Sequence, residues 1–213
     1  MRHNLDISVL ELLASKICHD LISPIGAVNN GLEILEDMGG GDEVTELIAF
    51  SAGQASAKLQ AFRMAYGAGG ADASLKPEDV HKSVNALISG DGKVTQNWDP
   101  YGDMGYEDRP DGFCKILMCA ILQALDCLPK GGELIVQAGD KRGSTDVIVS
   151  GENAAPREKV AEALSLGLPQ NMLEPKYIHA YTSGLLADKY GFKLFLSHGV
   201  PGSVTINIVH PAA

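Results

Sequence analysis

Over residues 7–38 apolar side chains recur at spacings of three and four: Leu10, Ala14, Ile17, Leu21, Pro24, Val28 and Leu35, with Leu32 partly filling the gap near Gly31. Such positions share one face of a helix with 3.6 residues per turn, so the pattern predicts one long amphipathic helix. The run "MGGGDE" at 38–43 breaks it, and Asp42 is a candidate cap for a second helix over 43–67. That helix carries Val44, Ile48, Ser51, Ala55, Leu59 and Phe62 on one face, and the small residues of "AFSAGQASAKLQAF" allow close packing against neighbours. Two long helices joined by a tight turn fold back as an antiparallel hairpin. A hairpin alone cannot bury its apolar stripe. The pattern therefore predicts a homodimer in which two hairpins form a four-helix bundle.

The stretch "GAGGADASLKP" at 67–77 has linker composition and separates a helical unit, 1–70, from a second unit, 71–213. Beyond it helices and strands alternate: a helix at 78–89, a strand at 93–98, a helix at 111–128 and a hairpin-like strand pair at 130–139 and 144–152. Helices at 157–166 and 174–190 follow, then strands at 192–199 and 203–210. This order predicts an open, mostly antiparallel sheet with helices over one face. The fold class is thus α + α/β, a helical hairpin followed by an α/β sandwich.

Charge and cysteine usage narrow the function. A net charge of −10 and a pI near 5.0 argue against a nucleic-acid surface or an anionic membrane. No apolar run approaches the ~20 residues that a spanning helix requires, and "MRHNLDISVLELL" lacks the apolar core of a signal peptide. Cys18, Cys114, Cys119 and Cys127 show no CxxC spacing, which predicts reduced thiols in a cytoplasmic protein and no metal site. His3, His81, His179, His198 and His210 lack companions at ligand spacing and read as structural or solvated. The acidic stretch around Tyr101 and Tyr106 reads as a solvated loop or a partner contact.

One segment of the first helix, "ICHDLISPIG" at 17–26, carries chemistry. An internal proline costs a helix about 3 kcal/mol through a lost hydrogen bond and a clash with the preceding turn. With Ile17 and Leu21 on the core seam, His19 falls on the opposite face, shared with Ile22, Ser23, Gly26 and Asn30. An exposed isoleucine, a glycine and small polar groups make a surface that receives something flat. Asp20 beside the histidine could hold its imidazole in one tautomer and raise its basicity. Pro24 frees the carbonyl of Asp20 and bends the helix below His19. Imidazole is a good nucleophile at neutral pH, and attack on an acyl phosphate needs neither ATP nor a strong base.

"HDLISP", residues 19–24, resembles the H-box of histidine-kinase dimerisation domains, H-[E/D]-L-x-[T/N/S]-P, which opens a helical hairpin. The alternating second half resembles the kinases' ATP-binding domain, so the likeness covers nearly the whole chain. The nucleotide elements depart from it. "QALDCLPKGG" puts Gln123 at the metal-binding asparagine of the kinase N-box and Cys119 at the preceding asparagine position. "SGENAAP" puts Ser150, Glu152 and Ala154 at the Asp and Gly positions of the D-x-G-x-G loop. One glycine, Gly184, stands where the glycine-rich lid belongs. An intact H-box with a hollow kinase domain resembles the ChpT-type histidine phosphotransferases of alphaproteobacterial phosphorelays.

That resemblance implies a homodimeric, cytoplasmic shuttle in a cell-cycle relay. It would accept a phosphoryl group on His19 from the receiver aspartate of a CckA-like hybrid histidine kinase. It would then pass the group to response regulators of the CtrA and CpdR kind. No cofactor is implied, and Mg2+ belongs to the partner's receiver domain. Asp20 orients the imidazole or is a solvated acid. Ser23 occupies the H-box position of the kinases' Thr or Asn, or simply packs. Counting back from the turn places Phe62 and Arg63 near the level of His19, and Arg63 pairs with the phosphoryl group or with a neighbouring helix. Ile22, Ser23, Gly26, Asn29 and Asn30, with Ala52 and Ser56 on the second helix, are the candidate docking residues. Ile22 replaces the basic residue that many kinases carry three after the histidine. A kinase with a divergent ATP site and a non-catalytic dimeric adaptor that binds receivers are the alternatives.

Overall fold

The computed structural model describes residues 5–38, 41–68, 75–90 and 92–211. Residues 39–40 of the expected turn, 69–74 of the expected linker, and His3 lie outside them. Helix α1 runs Ile7–Met38 with Pro24 inside, and α2 runs Asp42–Tyr66. Asp6 caps α1, its Oδ1 accepting the Ser8 amide at 2.9 Å. The expected Asp42 cap is corrected: Gly41 occupies the N-cap, and Asp42 with Glu43 falls in the first turn, where acidic groups meet the positive helix end. The two helices pack antiparallel and approach closely at Gly31, where a Cβ would lie 2.5 Å from Cγ1 of Ile48. That crossing explains the gap in the apolar pattern.

The second half comprises α3 (Pro77–Ile88), β1 (Val94–Gln96), α4 (Phe113–Leu125), β2 (Gly132–Ala138) and β3 (Ser144–Ser150), then α5 (Val160–Leu164), α6 (Ile178–Lys189), β4 (Lys193–Ser197) and β5 (Ser203–Val209). The sheet order is β1-β2-β3-β5-β4, with only β1 and β2 parallel. Alternation along the strands buries Leu134, Val136, Val147, Val149, Val204, Ile206 and Ile208, with Val147 opposite Ile206 and Val149 opposite Val204. Helix α4 is apolar nearly all round and sits against β3 and β5, beneath the hairpin. The fold class is as the sequence predicts.

Element ends differ where the backbone turns left-handed. Gly112 at φ 80 delays α4, and Lys159 at φ 63 shortens the helix expected at 157–166 to five residues. The expected helix at 174–190 opens with a 3-10 turn at Pro175–Tyr177.

The hairpin does not stand apart. Ala61 and Ala65 of α2 and Val9 of α1 join the same core as α4 and the sheet. The buried Lys115 of α4 donates from Nζ to the Gly67 carbonyl at 2.6 Å, tying the end of α2 to the second half. Burial holds this ammonium below its ordinary pKa, and the negative end of α2 partly compensates its charge.

Candidate functional site

Pro24 supplies no N–H, so the Asp20 carbonyl loses its partner within α1. Lys58 of α2 takes that place, its Nζ donating to the carbonyl at 3.1 Å. The Asp20 carboxylate lies between neighbours on its own helix. Lys16, one turn earlier, donates to both oxygens at 2.6 and 2.7 Å. His19 Nδ1 stands 3.3 Å from Oδ1. Burial raises the carboxyl pKa, yet the Lys16 hydrogen bond and charge, together with His19 and His179, outweigh it and leave Asp20 below its ordinary value. It is an anion at neutral pH.

The pair divides its exposure unequally: the His19 side chain is 84% exposed and that of Asp20 only 19%. An anionic carboxylate beside Nδ1 favours the proton there, which leaves the Nε2 lone pair facing solvent. Ile22 is 68% exposed. Ser23, Asn29 and Asn30 are exposed, as are Ala52 and Ser56 of α2. Gly26 is half-buried, but nothing lies within 4 Å of the Cβ it lacks, so the face is open there.

Arg63 is exposed in the last turn of α2. The Gly31–Ile48 and Asp20–Lys58 contacts set a register that puts His19 opposite Leu59 and Gln60. The expected level of Phe62 and Arg63 is thereby corrected by about one turn. Counting from the turn assumed that both helices leave it at equal height. On the expected α2 face Ser51, Ala55 and Phe62 are buried, and Leu59 is 50% exposed.

Behind Asp20 lies a residue from the far end of the chain. His179, in the first turn of α6 and 6% exposed, brings Nε2 to 3.9 Å from Asp20 Oδ2. Its Nδ1 meets the Tyr66 hydroxyl at 2.5 Å, and its ring packs against both Phe62 and Tyr66, which also stack on each other. Burial pushes His179 below its ordinary pKa; Asp126 and Asp20 oppose that shift and Lys16 adds to it. Burial likewise drives the Tyr66 phenol up, so it remains a hydroxyl. An open cleft of about 760 Å³ runs from Lys16, Asp20 and His179 along Phe50 and Leu47 to Leu122 and Leu125.

No sequence motif names Lys16, Lys58 or Tyr66 as a site residue, and His179 reads from the sequence as structural or solvated. Lys16 stands four residues before Asp20, a spacing at which helical charges pair, and was legible there. The other three reach Asp20, or the ring behind it, only through tertiary packing.

At the positions aligned with nucleotide elements, side chains serve the fold. Cys119 is fully buried, its thiol pushed up to about 12 by burial and placed 3.5 Å from the Ala65 carbonyl. Gln123 is buried, Ser150 pairs with Ser203 across the sheet at 3.3 Å, and Glu152 pairs with Lys130 on the surface. Ala154 is buried. A Cβ at Gly184 would lie 2.3 Å from the Leu164 carbonyl oxygen, so this glycine lets α6 pack on α5. Among the described residues, no group of three or more His, Cys, Asp or Glu side chains could hold a metal ion. No helix among them is long and apolar enough to cross a membrane.

Comparison with known proteins agrees with this architecture. A solved structure of a bacterial phosphotransferase superposes with a TM-score of 0.77 at 28% identity, covering 97% of this chain and 98% of that one. The protein phosphotransferase ChpT of Brucella abortus is 32% identical over 186 residues, 86% of this chain and 87% of its own length. The family model of the histidine phosphotransferase C-terminal domain matches residues 46–200. The chain belongs to the histidine phosphotransferase family.

Proposed function

We propose that this chain shuttles phosphoryl groups between receiver domains of a phosphorelay through a phosphohistidine at His19, without ATP. The observation that carries this reading is the outward-facing imidazole of His19, set beside an anchored carboxylate on a face of small and apolar residues. The donor is the acyl phosphate of a receiver aspartate in a hybrid sensor kinase. The Nε2 lone pair forms the N–P bond while the O–P bond to that aspartate breaks, and the freed carboxylate leaves. The Nδ1 proton stays with His19 toward Asp20. Reversal of the same step on a second receiver, of a response regulator of the CtrA or CpdR kind, delivers the phosphoryl group. Any Mg2+ lies in the partner's acidic pocket.

Docking uses shape and apolar contact at Ile22, Ser23, Gly26, Asn29 and Asn30, with Ala52 and Ser56 on α2. Arg63 is the candidate cation for the phosphoryl group in transit. Ile7, Leu10, Ile25 and Leu32 of α1 and Leu59 of α2 leave about half or more of their surface uncovered, and a second copy of the hairpin covers them as a homodimer. This shuttle acts in the cytoplasm.

The test is a pair of parallel reactions, each with a His19→Ala control. One supplies labelled ATP alone and the other a receiver already phosphorylated on aspartate. Acid-labile label taken only from the receiver, and lost in His19→Ala, is the expected result. Label taken from ATP alone makes the chain a kinase, and a receiver that binds without giving up label makes it an adaptor.

A further inference from the structure

The Asp20 carboxylate is approached from two directions. On α1, Lys16 spans both of its oxygens. From α6, more than 150 residues away in sequence, His179 aims Nε2 at Oδ2 from 3.9 Å, within reach of charge and dipole but longer than a hydrogen bond. The His179 tautomer follows from its surroundings. A lone pair on Nε2 facing an anion is repelled, so Nε2 carries the proton. Nδ1 then accepts from Tyr66, whose hydroxyl 2.5 Å away keeps its proton. Phe62 and Tyr66 pack against the ring with centroids at 5.7 and 5.5 Å and hold its plane.

We propose that His179 is a positioning residue for phosphoryl transfer. With Tyr66 behind it, it turns the Asp20 carboxylate so that Oδ1 accepts a hydrogen bond from the His19 Nδ1–H, which keeps its proton, and Nε2 carries the lone pair outward. The inference rests on the phosphotransfer reading above and gives the second half of the chain a part in it. The angle at which α6 packs on the hairpin sets the angle of the reacting imidazole. The pattern parallels metal sites, where groups behind the ligating histidine fix its tautomer and its direction. Here the chain runs Tyr66, His179, Asp20, His19, from the buried interface to the open face.

Two substitutions separate positioning from packing. His179→Phe keeps a ring packed against Phe62 and Tyr66 but has no N–H, whereas His179→Gln places an amide N–H near the position of Nε2. Two readouts are taken on folded protein: the transfer rate at saturating phosphorylated receiver beside the receiver KM, and the His19 tautomer from 15N NMR. In His179→Phe the saturated rate falls about fivefold, equivalent to roughly 1 kcal/mol of barrier, with KM unchanged. The His19 tautomer moves toward that of a free imidazole. His179→Gln restores most of both. Should His179→Phe not fold, Tyr66→Phe, which deletes only the hydroxyl, gives a smaller change in the same direction.

Wild-type rate and tautomer in His179→Phe overturn the inference. So does an equal fall in both variants with the His19 tautomer unmoved, which is a packing effect. If the wild type takes no phosphoryl group from any receiver, the transfer reading fails. The NMR readout then still decides whether His179 orients His19.

Discussion

The hairpin and the sheet half handle apolar side chains in opposite ways. In the sheet half, Ile116, Leu117, Ile206 and Ile208 are fully buried, and α4 is enclosed nearly all round. On the hairpin, Ile7, Leu10, Ile22 and Leu59 remain half exposed or more, and small residues such as Gly26 leave the surface between them open. One half encloses its largest apolar side chains; the other leaves several of its own on the surface. Under the proposed function the difference separates two tasks within one chain: the second half holds geometry, and the hairpin meets other proteins.

Substitutions that cost most in one half should cost least in the other. Ile206→Ala removes a fully buried side chain opposite Val147 and destabilises by about 2–5 kcal/mol. Chemical denaturation reads this as a lower midpoint. Ile22→Ala, on the open face, stays within about 0.5 kcal/mol of wild type while raising the KM for phosphorylated receiver. If both substitutions cost stability alike, the division fails. Next in size, Leu10→Glu combined with Ile25→Glu places charges on the uncovered apolar stripe. Light scattering should find monomers of wild-type helix content, and a mass unchanged from wild type would place the second copy elsewhere.

Smaller effects probe the seam between the halves. Lys58→Met strands the Asp20 carbonyl that Pro24 deprives of its helical donor, at about 1 kcal/mol. The pH dependence should be shallower still. His179 is depressed below its ordinary value of 6.5, so the unfolded chain binds its proton first. Its contribution is complete above that pH and is lost as pH falls below it. Tyr66, Asp126, Lys16 and Asp20 face this ring and shape that window. Asp20, depressed below 3.8, adds a further loss at lower pH by the same sign. Denaturation midpoints measured across this range should decline for wild type and flatten near pH 6 in His179→Gln.

Much of this molecule was legible in its sequence because its information is local. The period of α1, the breaking glycines, the strand alternation and the placement of His19 opposite the seam all depend on neighbours a few residues apart. The consequence of Pro24 was legible in part: a proline at 24 frees the carbonyl at 20. No local rule names Lys58 as the donor that answers it. The capping of α2 was misjudged because Asp42 and Gly41 are both good caps and the choice depends on how the chain leaves α1. The register of Arg63 and the exposure of Leu59 depend on how α2 rolls against α4, where Ala61 and Ala65 seat it. His179 was illegible for the same reason. A lone histidine in apolar text reveals no partner until α6 docks against the hairpin.

The most direct test of the account is to locate the phosphoryl group on the chain. The protein is loaded by a phosphorylated receiver in the absence of nucleotide, digested at neutral pH and mapped by mass spectrometry. A single phosphohistidine at His19 and no modification in residues 75–211 is the expected result. A phosphoryl group on any other residue, or loading that appears only when ATP is added, would contradict it.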